Sequence, residues 1–182
     1  MKGVSAGEAS PLLFWLGLAW VWANFPWLVA TMVQLGTGET AAGVRSALHL
    51  LISLATGIGL CAGERRGWAA AVCISVLYAV ACVSAACAAA WQLMNLPTGV
   101  LSWEPLLFGM NLRGWNLTAG WGSLLGIVAL AIAGLLWSQR DHFDVPERRS
   151  FTTLARFGLV PAIVQGLIDL WMALEWLVAS SR

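Results

Sequence analysis

The chain has 182 residues, of which 59% are hydrophobic and only 10% are charged, and its formal net charge is +1. Soluble domains carry roughly 25% charged residues, which keep their surfaces hydrated. This composition excludes an ordinary soluble domain. The near-neutral charge, without a broad basic stripe, argues against nucleic-acid binding. The sequence therefore predicts an integral membrane protein whose solvent is the lipid bilayer.

Five apolar stretches approach the roughly 20 residues that a helix needs to cross the hydrocarbon core. Backbone groups in lipid must be bonded within their own segment, and the stretches lack the alternation of membrane strands, so helices are expected. The predicted fold is all-α: a polytopic membrane helix bundle of five transmembrane helices, forming a single integral membrane domain over 1–182. The alternative is four spans plus one interfacial helix. The predicted spans are 11–35, 41–62, 67–94, 117–138 and 157–180.

The first span contains an amide and a proline near its middle, Asn24 and Pro26. Proline lacks a backbone N–H, so a kink is expected there. Asn24 is expected to bond to a neighbouring helix. The functional alternative is that Asn24 lines a cavity together with Asp169.

The second span carries Arg45 near its start and His49 one turn further on. A short charged turn at 63–67 follows it, which predicts an antiparallel hairpin with the third span. His49 is a weak candidate for the axial ligand of a haem or chlorophyll-type ring. A bis-histidine site has no support, because the only other histidine is His142 in a charged loop. No other cofactor is predicted.

Small residues at helical spacing predict close helix contacts, because they let backbones approach in lipid. The fourth span contains a G-x-x-x-G match, and the third contains a ridge of alanines. Packing within the chain or association with a copy or partner would explain both. The residues are Gly122, Gly126 and Gly134, and Ala81, Ala85 and Ala89.

Lysine and arginine are distributed unequally between the two sides of the predicted topology. By the positive-inside rule, the richer side is cytoplasmic, which gives a cytoplasmic amino terminus. Together with the compact loops, this favours a bacterial inner membrane. The richer side holds Lys2, Arg65, Arg66, Arg140, Arg148, Arg149 and Arg156, and the other holds Arg45, Arg113 and Arg182.

Two loops connect the later spans. The outer-face loop, 95–116, is rich in apolar residues and is expected to lie on the membrane as a short interfacial helix after Pro105. The cytoplasmic charged loop, 139–156, is expected to be solvated rather than metal-binding. The chain is Trp-rich, with 12 tryptophans. Trp68, Trp91, Trp121 and Trp137 are expected at the headgroup level, where an apolar ring with one N–H is favoured.

The fifth span contains two acids, Asp169 near its middle and Glu175 nearer its outer end. An acid at the bilayer centre costs about 2.5–3.5 kcal/mol on insertion scales, so this span depends on other helices to receive its polar groups. Gln165 and Asp169 are four residues apart and share a face. Glu175 is predicted to pair with Arg45 or His49 near the outer surface.

No nucleophile constellation, catalytic residue or metal site is predicted, and an enzyme is the less favoured class. The first functional hypothesis is a non-catalytic accessory protein or subunit of a membrane complex. Its partners would be the lipid bilayer and a protein, or a second copy, held through transmembrane helices. The alternative is a small proton- or cation-coupled transporter that uses Asp169 with Asn24, Gln165 and Glu175.

Overall fold

The computed structural model describes residues 11–94, 112–143 and 145–180, and over 92–93, 112–119, 147–148 and 172–180 it describes the backbone only. All regular structure in these ranges is helical, and five segments are long and apolar enough to cross a membrane. The predicted all-α bundle of five spans is confirmed. The helices are α1 (Pro11–Ala23), α2 (Phe25–Gly36), α3 (Thr40–Cys61), α4 (Arg65–Met94), α5 (Leu112–Ser138), a 3₁₀ turn (Arg140–Phe143), α6 (Glu147–Thr153), a π-helical turn (Leu154–Gly158) and α7 (Leu159–Ser180).

The first span is interrupted at Asn24, between α1 and α2. Pro26 occupies the first turn of α2, where its missing N–H costs no helical hydrogen bond. The Asn24 side-chain amide donates to the carbonyl oxygen of Trp20 at 2.8 Å. The break therefore lies where the proline predicts it. The amide, however, bonds to its own helix and not to a neighbouring one.

Helix α3 packs against both halves of the first span. Gly17 of α1 lies directly against α3, because a methyl group added there would come within 2.8 Å of the Gly57 carbonyl oxygen. The thiol of Cys61 also lies 3.6 Å from the carbonyl oxygen of Phe14. Glycine thus sets the short distance between α1 and α3, as expected for helices packing in lipid.

Helices α3 and α4 form the predicted tight hairpin. Gly63 in the turn has φ +68°, a left-handed conformation that favours glycine. Four residues to either side of that turn, Gly59 and Gly67 bring the two backbones together. A methyl group at Gly67 would lie 2.6 Å from the Gly59 Cα atom.

The chain divides into two compact units by its contacts. The first unit contains Met1–Ile74 and Ala133–Ile168, and the second contains Ser75–Ile132 and Asp169–Arg182. The core of the first unit includes Ala70, Ile74 and Ala162, with Trp20, Ile52 and Cys73 packed against them. The single membrane domain over 1–182 stays a prediction.

Of the two predicted loops, the charged one lies largely within the described residues. The charged segment 139–156 is largely helical, because it contains the 3₁₀ turn, α6 and the start of the π turn. The predicted interfacial helix after Pro105 lies outside the described residues. Helix α5 begins at Leu112, so the last part of the predicted 95–116 loop already belongs to that helix.

Candidate functional site

One face of α3 buries polar side chains at a repeat of three and four residues. Helical geometry places positions separated by three, four and seven residues on one side, so these side chains form one stripe. A buried stripe of this kind needs hydrogen-bond partners within the protein. The stripe consists of Ser46, His49, Ser53 and Thr56.

The stripe is joined to α7 through His49 and Gln165, which are 7% and 5% exposed. The Gln165 Nε2 atom lies 2.8 Å from the His49 Nε2 atom and also contacts Nδ1 of the same ring. On its other side, the imidazole stacks on the indole of Trp27, with ring centroids 4.1 Å apart and planes inclined by 30°. Three helices, α2, α3 and α7, therefore meet at one imidazole.

This buried polar cluster can hold α3 and α7 together through a hydrogen bond. A neutral imidazole offers one donor and one acceptor, so one ring nitrogen of His49 can accept a hydrogen bond from the Gln165 side-chain N–H. The Gln165 Oε1 atom is buried and has no hydrogen-bond partner among the described residues.

Other buried polar groups near this cluster are bonded locally. Ser46 donates to the Gln34 side-chain oxygen at 2.7 Å, which links α3 to α2. Thr31 and Thr56 each donate to the carbonyl oxygen four residues earlier in their own helices, at 2.7 and 2.8 Å. The interior of the first unit is therefore polar in part, and three of its buried hydroxyl groups donate hydrogen bonds within or between helices.

The predicted polar residues fall in both units. Gln165 belongs to the first unit and Asp169, one turn later in α7, belongs to the second. Asp169 is half-buried, and its charge acts on the phenol of Tyr78. Arg45 is half-buried on α3, one turn before His49. The side chain of Glu175 lies outside the described part of the chain, so its pairing with Arg45 or His49 stays a prediction.

The predicted helix-contact residues are used unequally. Gly122 and Gly126 of α5 pack against α4, since a methyl group at Gly122 would lie 2.9 Å from the Cys82 carbonyl oxygen. Gly134 has open space around it. It lies eight residues beyond Gly126, about 80° further around the helix, which carries it off the contact face.

The predicted alanine ridge of α4 is divided between exposed and buried positions. Ala81 and Ala85 are exposed, and only Ala89 of the predicted set is buried. The buried face runs through Ala79, Ala86 and Ala89. The prediction used a strict four-residue spacing, which drifts around a helix of 3.6 residues per turn, whereas mixed steps of three and four stay on one face.

Trp68, predicted to lie at the headgroup level, is enclosed by protein. Its side chain is 0% exposed, and its Nε1–H donates to the Leu136 carbonyl oxygen at 2.7 Å. The ring packs beside Trp137 and Phe143, at centroid distances of 6.0 and 6.3 Å. The neighbouring small residues Gly67 and Ala69 leave room for the indole to be enclosed by protein.

Two arginines converge on one aromatic ring at the same end of the first unit. The guanidinium carbon of Arg66 lies 5.5 Å from the Phe157 ring centroid, and that of Arg156 lies 5.2 Å from it. Both arginines are exposed, and Phe157 is half-buried. Nothing in the sequence pattern predicts this pair, because the two arginines are far apart in the chain and one of them lies in a π turn.

The π turn, Leu154–Gly158, fixes that geometry. Gly158 packs directly against the carbonyl oxygen of Ala69, so the turn lies on the first residues of α4. This approach brings Phe157 to Arg66, which is the second residue of α4. A π turn inside a helix is uncommon and often marks a functional position.

Comparison of the chain with protein-family models, with curated proteins and with solved structures finds no match.

Proposed function

We propose that the protein is a small multi-pass membrane protein with a non-catalytic role, an accessory protein or subunit of a membrane complex. The observation that carries this proposal is a small-residue face of α4 that is left exposed in the second unit. Ala81 and Ala85, four residues apart, are exposed, whereas Ala79, Ala86 and Ala89 are buried. Small residues let transmembrane helices approach closely, so an exposed face of this kind suits a partner helix.

The surface proposed for that partner lies in the second unit and is defined by Tyr78, Ala81, Ala85 and Asp169. Tyr78, Ala81 and Ala85 are exposed and lie on one side of α4, at spacings of three and four residues. Asp169 lies close enough to Tyr78 for its charge to act on the phenol. Small residues beside an acid suit a transmembrane helix that presents a basic or hydrogen-bonding side chain.

We also propose the predicted orientation and location, with a cytoplasmic amino terminus in a bacterial inner membrane. The support is that Arg66, Arg140 and Arg156 lie with the aromatic residues at one end of the first unit. A common basic end is what the positive-inside rule places in the cytoplasm.

Native purification of the full chain, with identification of co-purifying chains, tests the proposal. Asp169→Asn and Ala85→Leu should each reduce recovery of the partner while leaving the chain folded in detergent. Leu51→Ala, an exposed position on α3 outside the proposed surface, is the control and should retain the partner. Unchanged partner recovery in both test variants would refute the proposed surface.

The alternative function is a small proton- or cation-coupled transporter, favoured by the proximity of Asp169 to the Tyr78 phenol within a predicted span. In that case purified protein in liposomes should carry protons or cations, and Asp169→Asn should abolish the flux without loss of folded protein. Flux through the purified chain alone would replace the subunit proposal.

The role of His49 as an axial ligand of a haem or chlorophyll-type ring stays a prediction. Both of its ring nitrogens face Gln165, so a metal could reach either nitrogen only after the amide moved. Visible absorbance of the purified protein is the direct test.

A further inference from the structure

We propose that Arg66 and Arg156 form a binding site for the phosphate of an anionic phospholipid, with the Phe157 ring in contact with both guanidinium groups. The proposal is independent of the function proposed above. It rests on two guanidinium groups that contact one ring, at 5.5 and 5.2 Å from its centroid.

Two guanidinium cations held at one ring repel each other, and a negative charge between them offsets that repulsion. Among the described residues, Arg66 and Arg156 make no ion pair, and both guanidinium groups contact the Phe157 ring. Glu64 and Asp141 are exposed acids of the same unit, and neither is paired with these arginines. A bound anion would therefore offset the repulsion at this position.

The backbone beneath the arginines also favours an anion. Arg66 lies in the first turn of α4, where backbone N–H groups lack helical acceptors and the helix dipole is positive. Guanidinium groups match the oxygens of a phosphate in a planar, two-point geometry. The close contact between Gly158 and Ala69 holds the second arginine beside this helix end.

A phospholipid fits better than a free anion because of what lies next to the site. The apolar surface begins directly after the π turn, with exposed Leu159, Val160 and Ile163 on α7. A lipid phosphate held at the arginines would lay its acyl chains along that surface. Basic positions at the cytoplasmic ends of transmembrane helices are suited to anionic headgroups in this manner.

The test is native mass spectrometry of the full chain in neutral detergent, titrated with phosphatidylglycerol. Phosphatidylcholine with the same acyl chains is the headgroup control and needs no variant. We expect phosphatidylglycerol to bind wild-type protein at least tenfold more tightly than phosphatidylcholine. Equal binding of the two lipids would overturn the proposal.

Variants locate the site. Arg66→Gln and Arg156→Gln should each weaken phosphatidylglycerol binding about fivefold, which corresponds to about 1 kcal/mol for each arginine near a membrane surface. Arg149→Gln removes an exposed arginine of α6 that contacts no aromatic ring among the described residues. It should change the affinity for phosphatidylglycerol less than twofold. An equal loss of affinity in Arg149→Gln would mean that the lipid binds through the overall positive charge and not at one site. That result would overturn the proposal.

Two further arms keep the test decisive. Arg66→Lys with Arg156→Lys retains both charges and should bind phosphatidylglycerol more weakly than wild type but more tightly than the double Gln variant. Inorganic phosphate is added as a competitor to wild-type protein. Displacement of the lipid by millimolar phosphate would show a free-phosphate site and would refute the lipid assignment.

Discussion

The two halves of α4 have similar alanine-rich sequences and different surroundings. In the first half, every residue from Gly67 to Val72 is buried, enclosed by neighbours of the first unit. In the second half, which belongs to the second unit, most side chains are exposed, and burial is confined to one stripe through Ala79, Ala86 and Ala89. An apolar helix therefore does not reveal by composition whether protein or lipid surrounds it. The difference lies in the glycines and tryptophans of the elements that pack against it.

Trp68→Ala, in the first half of α4, should cause the largest loss of stability. It removes a side chain that is 0% exposed and a hydrogen bond to the Leu136 carbonyl oxygen. A loss of about 3–5 kcal/mol in the free energy of unfolding is expected for removing a buried side chain of this size. Unfolding in mixed micelles measures it. Trp91→Ala, at a 63% exposed position in the second half, is the matched control and should be nearly neutral.

Gly67→Val should have the next largest effect, because its new side chain would meet backbone atoms of Gly59 and Leu60 and not a flexible side chain. Overpacking of this kind costs about 1–3 kcal/mol. Gly134→Val introduces the same residue on a helix where nothing lies within 4 Å of the added methyl group. If both variants lose equal stability in the same unfolding assay, the hairpin contact is not what limits substitution.

Ala89→Leu and Ala85→Leu compare the buried and exposed sides of the second half. Ala89 is 0% exposed and Ala85 is exposed, so leucine should destabilise the folded chain by about 1–2 kcal/mol at the first position and little at the second. Thermal unfolding of the purified chain without a partner gives the readout. Equal effects would contradict the stripe that the structure assigns.

The contact between His49 and Gln165 should give the smallest effect. Hydrogen bonds between transmembrane helices contribute about 0.6 kcal/mol on average, because the unfolded state in the membrane also finds partners. A double-mutant cycle with His49→Leu and Gln165→Leu should yield a coupling energy of that size. Additive single effects would mean that the two side chains are neighbours without a stabilising bond.

The architecture was predictable from sequence because length and apolarity decide whether a helix crosses a membrane. The five spans, the hairpin turn around Gly63 and the interruption near Pro26 all lie where the sequence indicates them. These features depend on local chemistry: segment length, a left-handed glycine and a missing backbone N–H. They do not require knowledge of which helices are neighbours.

The candidate site was predictable only in part. His49 and Gln165 were both singled out as polar residues at membrane depth, but the contact between them joins positions 116 residues apart. Trp68 was expected at the interface, because an isolated tryptophan near a helix end looks the same in sequence whether lipid or protein covers it. The small residues that flank Trp68, Gly67 and 69–71, were the available signal for enclosure.

The close Gly59–Gly67 contact also bears on how the chain enters the bilayer. Helix α3 carries Arg45 and a stripe of buried polar side chains and is less apolar than α4, which contains no charged residue after its first turn. A turn that closes with backbone against backbone lets the two segments leave the translocation machinery as one helical hairpin. The strongly apolar partner then supplies the transfer free energy that the polar one lacks. Biogenesis of α3 would accordingly depend on synthesis reaching α4.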